Sequence, residues 1–456
     1  IIRTNRGERL PTVWSNIMAN ERFGTVVTEG MGGYTWYKNS RLNRITAWNN
    51  SQVTDVPSEL IYLENMETKR VWSPTINPAP DNSDYYVIYG FGYSKYLHIS
   101  DGIFQTLEVF VPKEDGAKVQ ILHLENKMAK KKKIKILYCI KPVLGEDEIK
   151  TNGYIDLKFN ENMNLITLQS QTQNIKNRII AYITCSEKIT SYTGNKDFFI
   201  GKGTIKNPEG LRKLELDREN SLGKNEMVAI EMKIELDSFE SKDVVITLGA
   251  GDEQLDIQDT AYKYTNVNNA INEYENTKRY WRDLLGTIKV STPLESMNIM
   301  LNGWLLYQTL CSRLYARSGY YQSGGAFGFR DQLQDCIGLK YISQEFLRNQ
   351  ILKHSEHQFV EGDVEHWWHE ETARGIRTRF SDDLLWLPYM VIEYIKYTGK
   401  YDILYEETHY VKGAPLEENV DERYELYLPS EKKESILEHC IRAIDKSLNF
   451  GENGLP

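Results

Sequence analysis

The chain has 456 residues, of which 41% are apolar and 26% charged, proportions that fit a globular protein of roughly two or three domains and exclude a disordered chain. Its net charge of -9, from 64 acidic against 55 basic residues, disfavours nucleic acid and anionic membrane surfaces as partners, since both require a basic face. No apolar run approaches the roughly 18–20 residues of a membrane span.

Up to about residue 255, short β-branched or alternating runs dominate. They are Thr25–Thr28, Tyr85–Tyr89, Phe104–Val111, Val119–Leu124, Ile134–Ile140, Ile179–Thr184, Met227–Leu236 and Val244–Leu248. Gly, Asn, Asp and Lys clusters separate them at intervals suited to antiparallel strands, so residues 1–255 are expected to form a β-sandwich. The run Lys130–Lys133 falls between two of the strands and reads as a solvated hairpin turn or a charged edge.

Beyond residue 255 the apolar spacing becomes helical. Ala261–Leu285 reads as a connecting segment within a helical linker over 256–292. Amphipathic stretches follow near 295–316, 332–341, 343–359, 382–398 and 434–450. Leu384, Leu387, Met390, Val391 and Tyr394 line one face of the fourth, with Asp382 and Asp383 at its start where the helix dipole favours anions. Helices joined by long polar loops fit an α-helical toroid, and equally a simple bundle.

Aromatic residues are frequent, with 29 Tyr and 9 Trp. Such side chains fill large cores, and they also present a flat apolar face with a polar handle to sugar rings. The five cysteines are widely spaced without any C-x-x-C pair, which points to a reducing cytoplasm rather than a disulfide framework or structural zinc. The chain has no signal segment, begins Ile1-Ile2 and ends Gly454-Leu455-Pro456, so it reads as a piece of a longer protein.

Three loops between Arg317 and Trp386 hold more chemistry than connectors need. The first, Ala316–Asp335, is Gly-rich and delivers Arg330 beside Asp331 at a helix start. A guanidinium fork next to a carboxylate suits vicinal sugar hydroxyls, although Asp331 could equally serve as a helix cap. Lacking a Gly-Lys-Ser/Thr ending, that loop is a poor nucleotide site. The second, Glu361–Glu371, sets Trp367 and Trp368 among His366, His369 and carboxylates. A sugar-stacking platform accounts for all these residue types together. A metal site would need a spacing that is absent, and a tryptophan could simply plug the core. The third, Arg374–Asp383, offers Arg377 among three arginines as an anion contact, with Asp383 as the better ligand candidate beside a capping Ser381 or Asp382. No Gly-x-Ser-x-Gly elbow or Cys–His pairing supports acyl transfer. Carboxylates in aromatic surroundings suggest glycosidic-bond cleavage instead.

These segments resemble glycoside hydrolase family 94, the inverting phosphorylases of cellobiose, chitobiose and β-1,2-glucans. The likeness rests on Trp14–Asn20, Gly33–Trp36, Asn39–Arg44, Trp48–Asn50, Gly328–Asp335 and Ser381–Pro388. Gln358–His369 looks most like the phosphorylase-like C-terminal module of cyclic β-1,2-glucan synthases. The resemblance implies an N-terminal β-sandwich, a helical linker and, from 293 to 456, the first part of an (α/α)6 barrel. It implies that Arg330 and Asp331 hold the glucosyl unit; the loops themselves offer Arg317, Trp367, Trp368, His369, Arg377 and Asp383 as further substrate contacts. Asn39, Arg41 and Arg44 would frame the acceptor side, in a homodimer from the neighbouring subunit. Substrates would be a β-linked gluco-oligosaccharide and inorganic phosphate, with no cofactor and no metal.

The family's Gly-Asp-Trp-Asn-Asp segment, which carries the general acid, does not occur up to Pro456, nor do its phosphate-binding His and Thr-Gly. The chain alone is therefore expected to be inactive. Two other readings stand beside this one: a hydrolase on the same toroid, and a carbohydrate-binding or length-controlling module of a synthase, which would bring in a membrane.

Overall fold

The computed structural model describes residues 1–4, 10–51, 53–173, 178–448 and 450–454. The chain divides into two compact units, Ile1–Arg282 together with Ser318–Gly324, and Asp283–Arg317 together with Gly325–Pro456.

Among the described residues, the first unit is built from three antiparallel sheets. The largest has nine strands in the order Ile2–Thr4, Tyr85–Gly90, Tyr93–Ser100, Ile103–Phe110, Ala117–Asn126, Ser241–Gly251, Ile180–Cys185, Leu165–Ser170 and Ile155–Asn160. A five-stranded sheet runs Ser191–Asn195, Glu226–Leu236, Lys132–Ile140, Glu59–Asn65 and Val71–Trp72. The other runs Pro142–Gly145, Arg44–Thr46, Gly33–Tyr37, Phe23–Thr28 and Ser15–Ala19. Strand Tyr93–Ser100 alternates buried and less buried positions, the period of a strand with one face on the core. Ile180–Cys185 is buried throughout and accordingly reads as a continuous apolar run. Leu107, Leu122, Ile136, Tyr138, Ile230 and Ile246 meet in one core, each large apolar side chain contributing about 1.5–3 kcal/mol.

The lysine run is not a hairpin turn. The strand before it belongs to the nine-stranded sheet and the strand after it to a five-stranded one, so the run marks a crossing between sheets. Its charges are met locally: Lys130 by Glu67 at 2.6 Å, Lys132 by Asp101 at 2.7 Å, and both Lys131 and Lys133 by Glu235. The outer edge of Ile155–Asn160 is closed by side chains. The Leu157 N–H donates to the Asn220 side chain at 3.0 Å, and Ser221 Oγ donates to the Ile155 carbonyl at 2.7 Å. Such capping blunts an edge that would otherwise recruit another strand.

Two helices lie against the large sheet, α1 (Gln254–Thr265) and α2 (Val267–Leu285). Ile257 and Ala261 of α1 cover Leu165, Ile180 and Tyr182, and Ala270 and Tyr274 of α2 cover Phe110, Val119 and Val245.

In the second unit, helical pieces run from Glu295 to Tyr315 and are broken at Gly303. Regular helices follow among the described residues: α3 (Phe329–Leu339), α4 (Gln344–Ser355), α5 (Trp386–Thr398) and α6 (Ile436–Ser447). Ser343 and Ser435 cap α4 and α6 by accepting the N–H of Glu345 and Glu438. Helix α5 ends at Gly399, whose φ of 70° places it in the left-handed region where glycine carries no Cβ penalty. The last amphipathic stretch extends past α6 to Asn449, which lies outside the described residues, as do Leu455 and Pro456.

The segments read as second and third loops are in part strands. Phe327–Gly328, Glu365–His369, Arg374–Thr378 and Glu422–Leu426 form a four-stranded antiparallel sheet. With Trp, His and Arg in place of β-branched residues, their period-2 signal is masked. Among the described residues, no helix is long and apolar enough to cross a membrane.

Candidate functional site

The start of α3 carries the most chemistry in the second unit. Gly328 stands just before it in extended conformation, and a Cβ there would lie 2.7 Å from Asp331 Oδ2. Only glycine leaves Asp331 room in the first turn. The Gly328 N–H donates to the Gln332 side chain at 2.6 Å, which satisfies that amide and frees Asp331 from a capping duty.

Arg330 and Asp331 are both exposed. The Arg330 guanidinium donates to Asp382 Oδ2 at 2.8 Å and to Gln334 at 3.3 Å, and its carbon lies 5.3 Å from the centre of the Trp386 ring. One residue on, Asp383 is buried and its Oδ2 lies 2.7 Å from His366 Nδ1. That hydrogen bond raises the His366 imidazole above its usual range, with the nearby charges of Asp383, Asp331 and Asp382 adding to it. The exposed Phe380 ring sits 4.6 Å from the imidazole. On the far side, Arg313 pairs with Asp335 at 2.7 Å and approaches Asp331 at 3.7 Å. Burial pushes the Asp335 carboxyl up against the pull of Arg313.

The rim thus sets the cations Arg313 and Arg330, with His366 shifted toward protonation, among the carboxylates Asp331, Asp335 and Asp382 and beside the rings of Phe380 and Trp386. Donor, acceptor and flat apolar face are the three things a sugar ring requires. Among the described residues, no group of His, Cys, Asp and Glu is arranged to hold a metal ion.

The remaining expected contacts behave differently. Trp368 is 1% exposed and enclosed, stacked on Phe327 at 5.6 Å and on His357 at 3.8 Å, so its face is not open to a ligand. Arg377 is also 1% exposed; it donates twice to Asp363 at 2.6 Å and also to Glu361 and the carbonyls of Gly413 and Ala414. It is a structural tie rather than an anion contact. Arg317, at φ 47°, donates to the carbonyls of Gly325, Leu314 and Tyr315 and lies over Phe327 at 4.1 Å, which fastens its own turn. His369 is buried, while Trp367 is half-buried against Tyr424 at 5.3 Å and keeps some surface.

Three contributors were not singled out by sequence: Asp382 as the partner of Arg330, His366 as the partner of Asp383, and Arg313. Their signal was weak. Asp382 doubles as a helix-start residue, His366 belongs to a hairpin read as a loop, and Arg313 stands three residues before the first loop begins.

A second pair lies behind the same hairpin. His357 Nδ1 is 2.5 Å from Glu365 Oε2, and both are largely buried. Burial pushes the Glu365 carboxyl up to about 8 and the His357 imidazole well below its usual range. The absent side chain of Gly375 makes room for Glu365, since a Cβ there would meet Oε1 at 1.9 Å.

In the first unit, Asn39 is fully buried and accepts the N–H groups of Arg41 and Leu42 at 2.9 and 3.0 Å, so it shapes the turn and faces no ligand. Arg41 is exposed and reaches Glu146 at 3.1 Å. Arg44 is half-buried, bonded to the Glu146 carbonyl at 3.2 Å and to Ser323 Oγ at 3.0 Å.

A layered β unit followed by a helical unit with an arginine–carboxylate–aromatic rim defines a carbohydrate-active class of protein. The chain belongs to the glycosyl hydrolase 94 family: residues 1–267 match its supersandwich domain and residues 280–456 its catalytic domain. It is 31% identical over 462 residues to the cyclic beta-(1,2)-glucan synthase NdvB of Rhizobium meliloti (strain 1021), covering all of this chain and 16% of that protein. It is 24% identical to the N,N'-diacetylchitobiose phosphorylase of Vibrio furnissii, over 98% of this chain and 58% of that one. It is 23% identical to the solabiose phosphorylase of Paenibacillus borealis, over 77% of this chain and 45% of that one. The chain therefore spans well under two thirds of the length of each.

Proposed function

We propose that the chain is part of an inverting glycoside phosphorylase that cleaves β-glucosidic bonds of gluco-oligosaccharides with inorganic phosphate, giving α-glucose 1-phosphate. The observation that carries this reading is the rim around Arg330, in a chain whose catalytic-domain relatives include several phosphorylases. In this reading Arg330, Asp331 and Asp382 take the hydroxyls of the glucosyl unit, with the Trp386 ring beside it. His366, held by Asp383 and shifted toward protonation, adds a donor. A phosphate oxygen attacks the anomeric carbon from the face opposite the leaving group, that bond breaks, and a carboxylic acid protonates the departing oxygen. Phosphate takes the place of activated water, so no general base is needed. Arg41 and Arg44 would serve the acceptor side, and the five buried cysteines suit a reducing cytoplasm.

None of the residues present matches the segment expected to carry the general acid, so the chain by itself is expected not to turn over. Completion of an (α/α)6 barrel is supported by a stripe of exposed apolar residues on and just after α6, Leu437, Ile441, Ile444 and Leu448, which further helices would cover. The identity to a cyclic β-1,2-glucan synthase across the whole chain supports a second reading, as a module of such a synthase acting on β-1,2-linked chains. Sugar release by the full-length protein separates phosphorylase from hydrolase: the first requires phosphate and yields α-glucose 1-phosphate, the second yields free glucose without it.

A further inference from the structure

The strand Glu365–His369 departs from regular alternation at His366. In a regular strand His366 and Trp368 would point to the same side. Trp368 is enclosed, whereas His366 is half-buried and reaches Asp383. The cause is a bulge. Against Arg374–Thr378, Glu365 stands opposite Arg377 and Trp367 opposite Ile376, so two steps along one strand answer one along the other and His366 is the extra residue. A bulge re-aims a side chain, and here it turns His366 out of the enclosed side.

The strand also changes neighbour on its other edge at this point. Before the bulge, Val364 bridges to Gln358 and the Glu365 N–H donates to the His357 carbonyl at 3.0 Å. After it, Trp367 and Trp368 pair with Gly328 and Phe327. Gly328 stands at the start of α3, which carries Arg330. The place of the bulge therefore sets both where His366 points and where α3 begins.

Glu365 fixes that place. Its carboxyl lies 2.5 Å from His357 Nδ1, so its main chain and side chain are tied to one residue. The His357 ring is stacked on Trp368 at 3.8 Å, and Gly375 leaves the carboxyl its room. Burial keeps the carboxyl protonated up to about 8 and the imidazole neutral, with His354, Lys353 and His409 adding to the second effect. At neutral pH the Glu365 O–H therefore donates to Nδ1, and the bond holds without placing a charge beside His366.

We propose that Glu365 is a positioning residue, whose bond to His357 pins the bulge that presents His366 to Asp383 and to a sugar at the rim. A tie that only stabilised the hairpin would leave His366 unchanged in any variant that folds. The inference rests on the proposed function only in taking His366 as a sugar contact.

An NMR titration of His366 in the intact chain tests it. Glu365→Gln keeps a donor to Nδ1, and Glu365→Leu puts an apolar side chain of similar size in its place. Neither changes the charge near His366 at neutral pH, which excludes a direct electrostatic effect. The His366 midpoint, above 6.5 in the native chain, is expected to fall toward 6.5 in Glu365→Leu and to stay in place in Glu365→Gln. In the full-length protein that contains this chain, Glu365→Leu should lower kcat/KM for β-1,2-linked gluco-oligosaccharides roughly tenfold or more, and Glu365→Gln should recover most of that loss. Near-ultraviolet circular dichroism checks folding. If Glu365→Leu does not fold, His357→Phe, which keeps a ring on Trp368 and removes the acceptor, takes its place with the same expectation. A native midpoint in the folded variant, or Glu365→Gln behaving as Glu365→Leu does, overturns the inference. A lowered midpoint with native kcat/KM overturns the part that concerns the sugar. Failure of the native protein to phosphorolyse β-glucans would count against the proposed function and leave the titration result standing.

Discussion

His366 Nδ1 lies 2.7 Å from Asp383 Oδ2, the carboxylate buried and the imidazole at the rim. The pair sets the charge next to Arg330, because Asp383 raises the imidazole above its ordinary range. A raised folded value means that the pair's contribution is fully present below the unfolded value near 6.5 and fades as pH climbs through the folded value. An NMR titration of His366 should therefore show a midpoint above 6.5, and Asp383→Asn should bring it down. A midpoint unmoved by that substitution would detach His366 from Asp383.

Glu365 carries the opposite lesson within the same strand. Burial keeps its carboxyl protonated up to about 8, against 4.5 when exposed. Between those values the unfolded chain gives up a proton that the folded chain keeps, so stability falls as pH rises through that window. Urea unfolding at a series of pH values should show the decline, and Glu365→Gln should flatten it.

Arg377 separates support from binding. Its buried guanidinium is saturated by Asp363, Glu361 and two carbonyls. Arg377→Ala strands Asp363 and should cost about 3–5 kcal/mol, the range for breaking a buried ion pair. In thermal melts the variant should lose several degrees while any sugar affinity of the folded fraction is kept. A loss of affinity at unchanged stability would return Arg377 to the ligand.

In the first unit, Lys118 Nζ meets Glu59 Oε2 at 2.7 Å with both side chains closed to solvent, and Thr35, Thr46 and Tyr138 also donate to Glu59. Strands from all three sheets converge on this one carboxylate. Lys118→Met and Glu59→Gln should each destabilise by about 3–5 kcal/mol, and the double change by less than their sum. Chemical denaturation of the four proteins in the cycle measures the coupling directly.

The β-rich first part was legible because runs such as Phe104–Val111 are rich in β-branched and aromatic residues and Ile180–Cys185 is nearly continuously apolar. The lysine run misled, since two strands joined by a short turn need not pair; here they enter different sheets. Arg330 and Asp331 were legible as adjacent polar residues at a helix start. Trp368 and Arg377 were misjudged because aromatic and charged residue types do not announce which face of a hairpin they occupy; burial settles that. Asp382 was read as a cap, and only its 2.8 Å contact with Arg330 gives it a place at the rim.

The most direct test is the release of α-glucose 1-phosphate from β-1,2-linked gluco-oligosaccharides by the full-length protein that contains this chain, with and without phosphate, for the native sequence and for Arg330→Ala. Release should require phosphate, and Arg330→Ala should lower kcat/KM by roughly 10- to 100-fold, the loss of about 1.5–3 kcal/mol for a charged hydrogen bond. Free glucose formed without phosphate, or an Arg330→Ala protein as active as the native one, would contradict a phosphorylase that grips its sugar at Arg330.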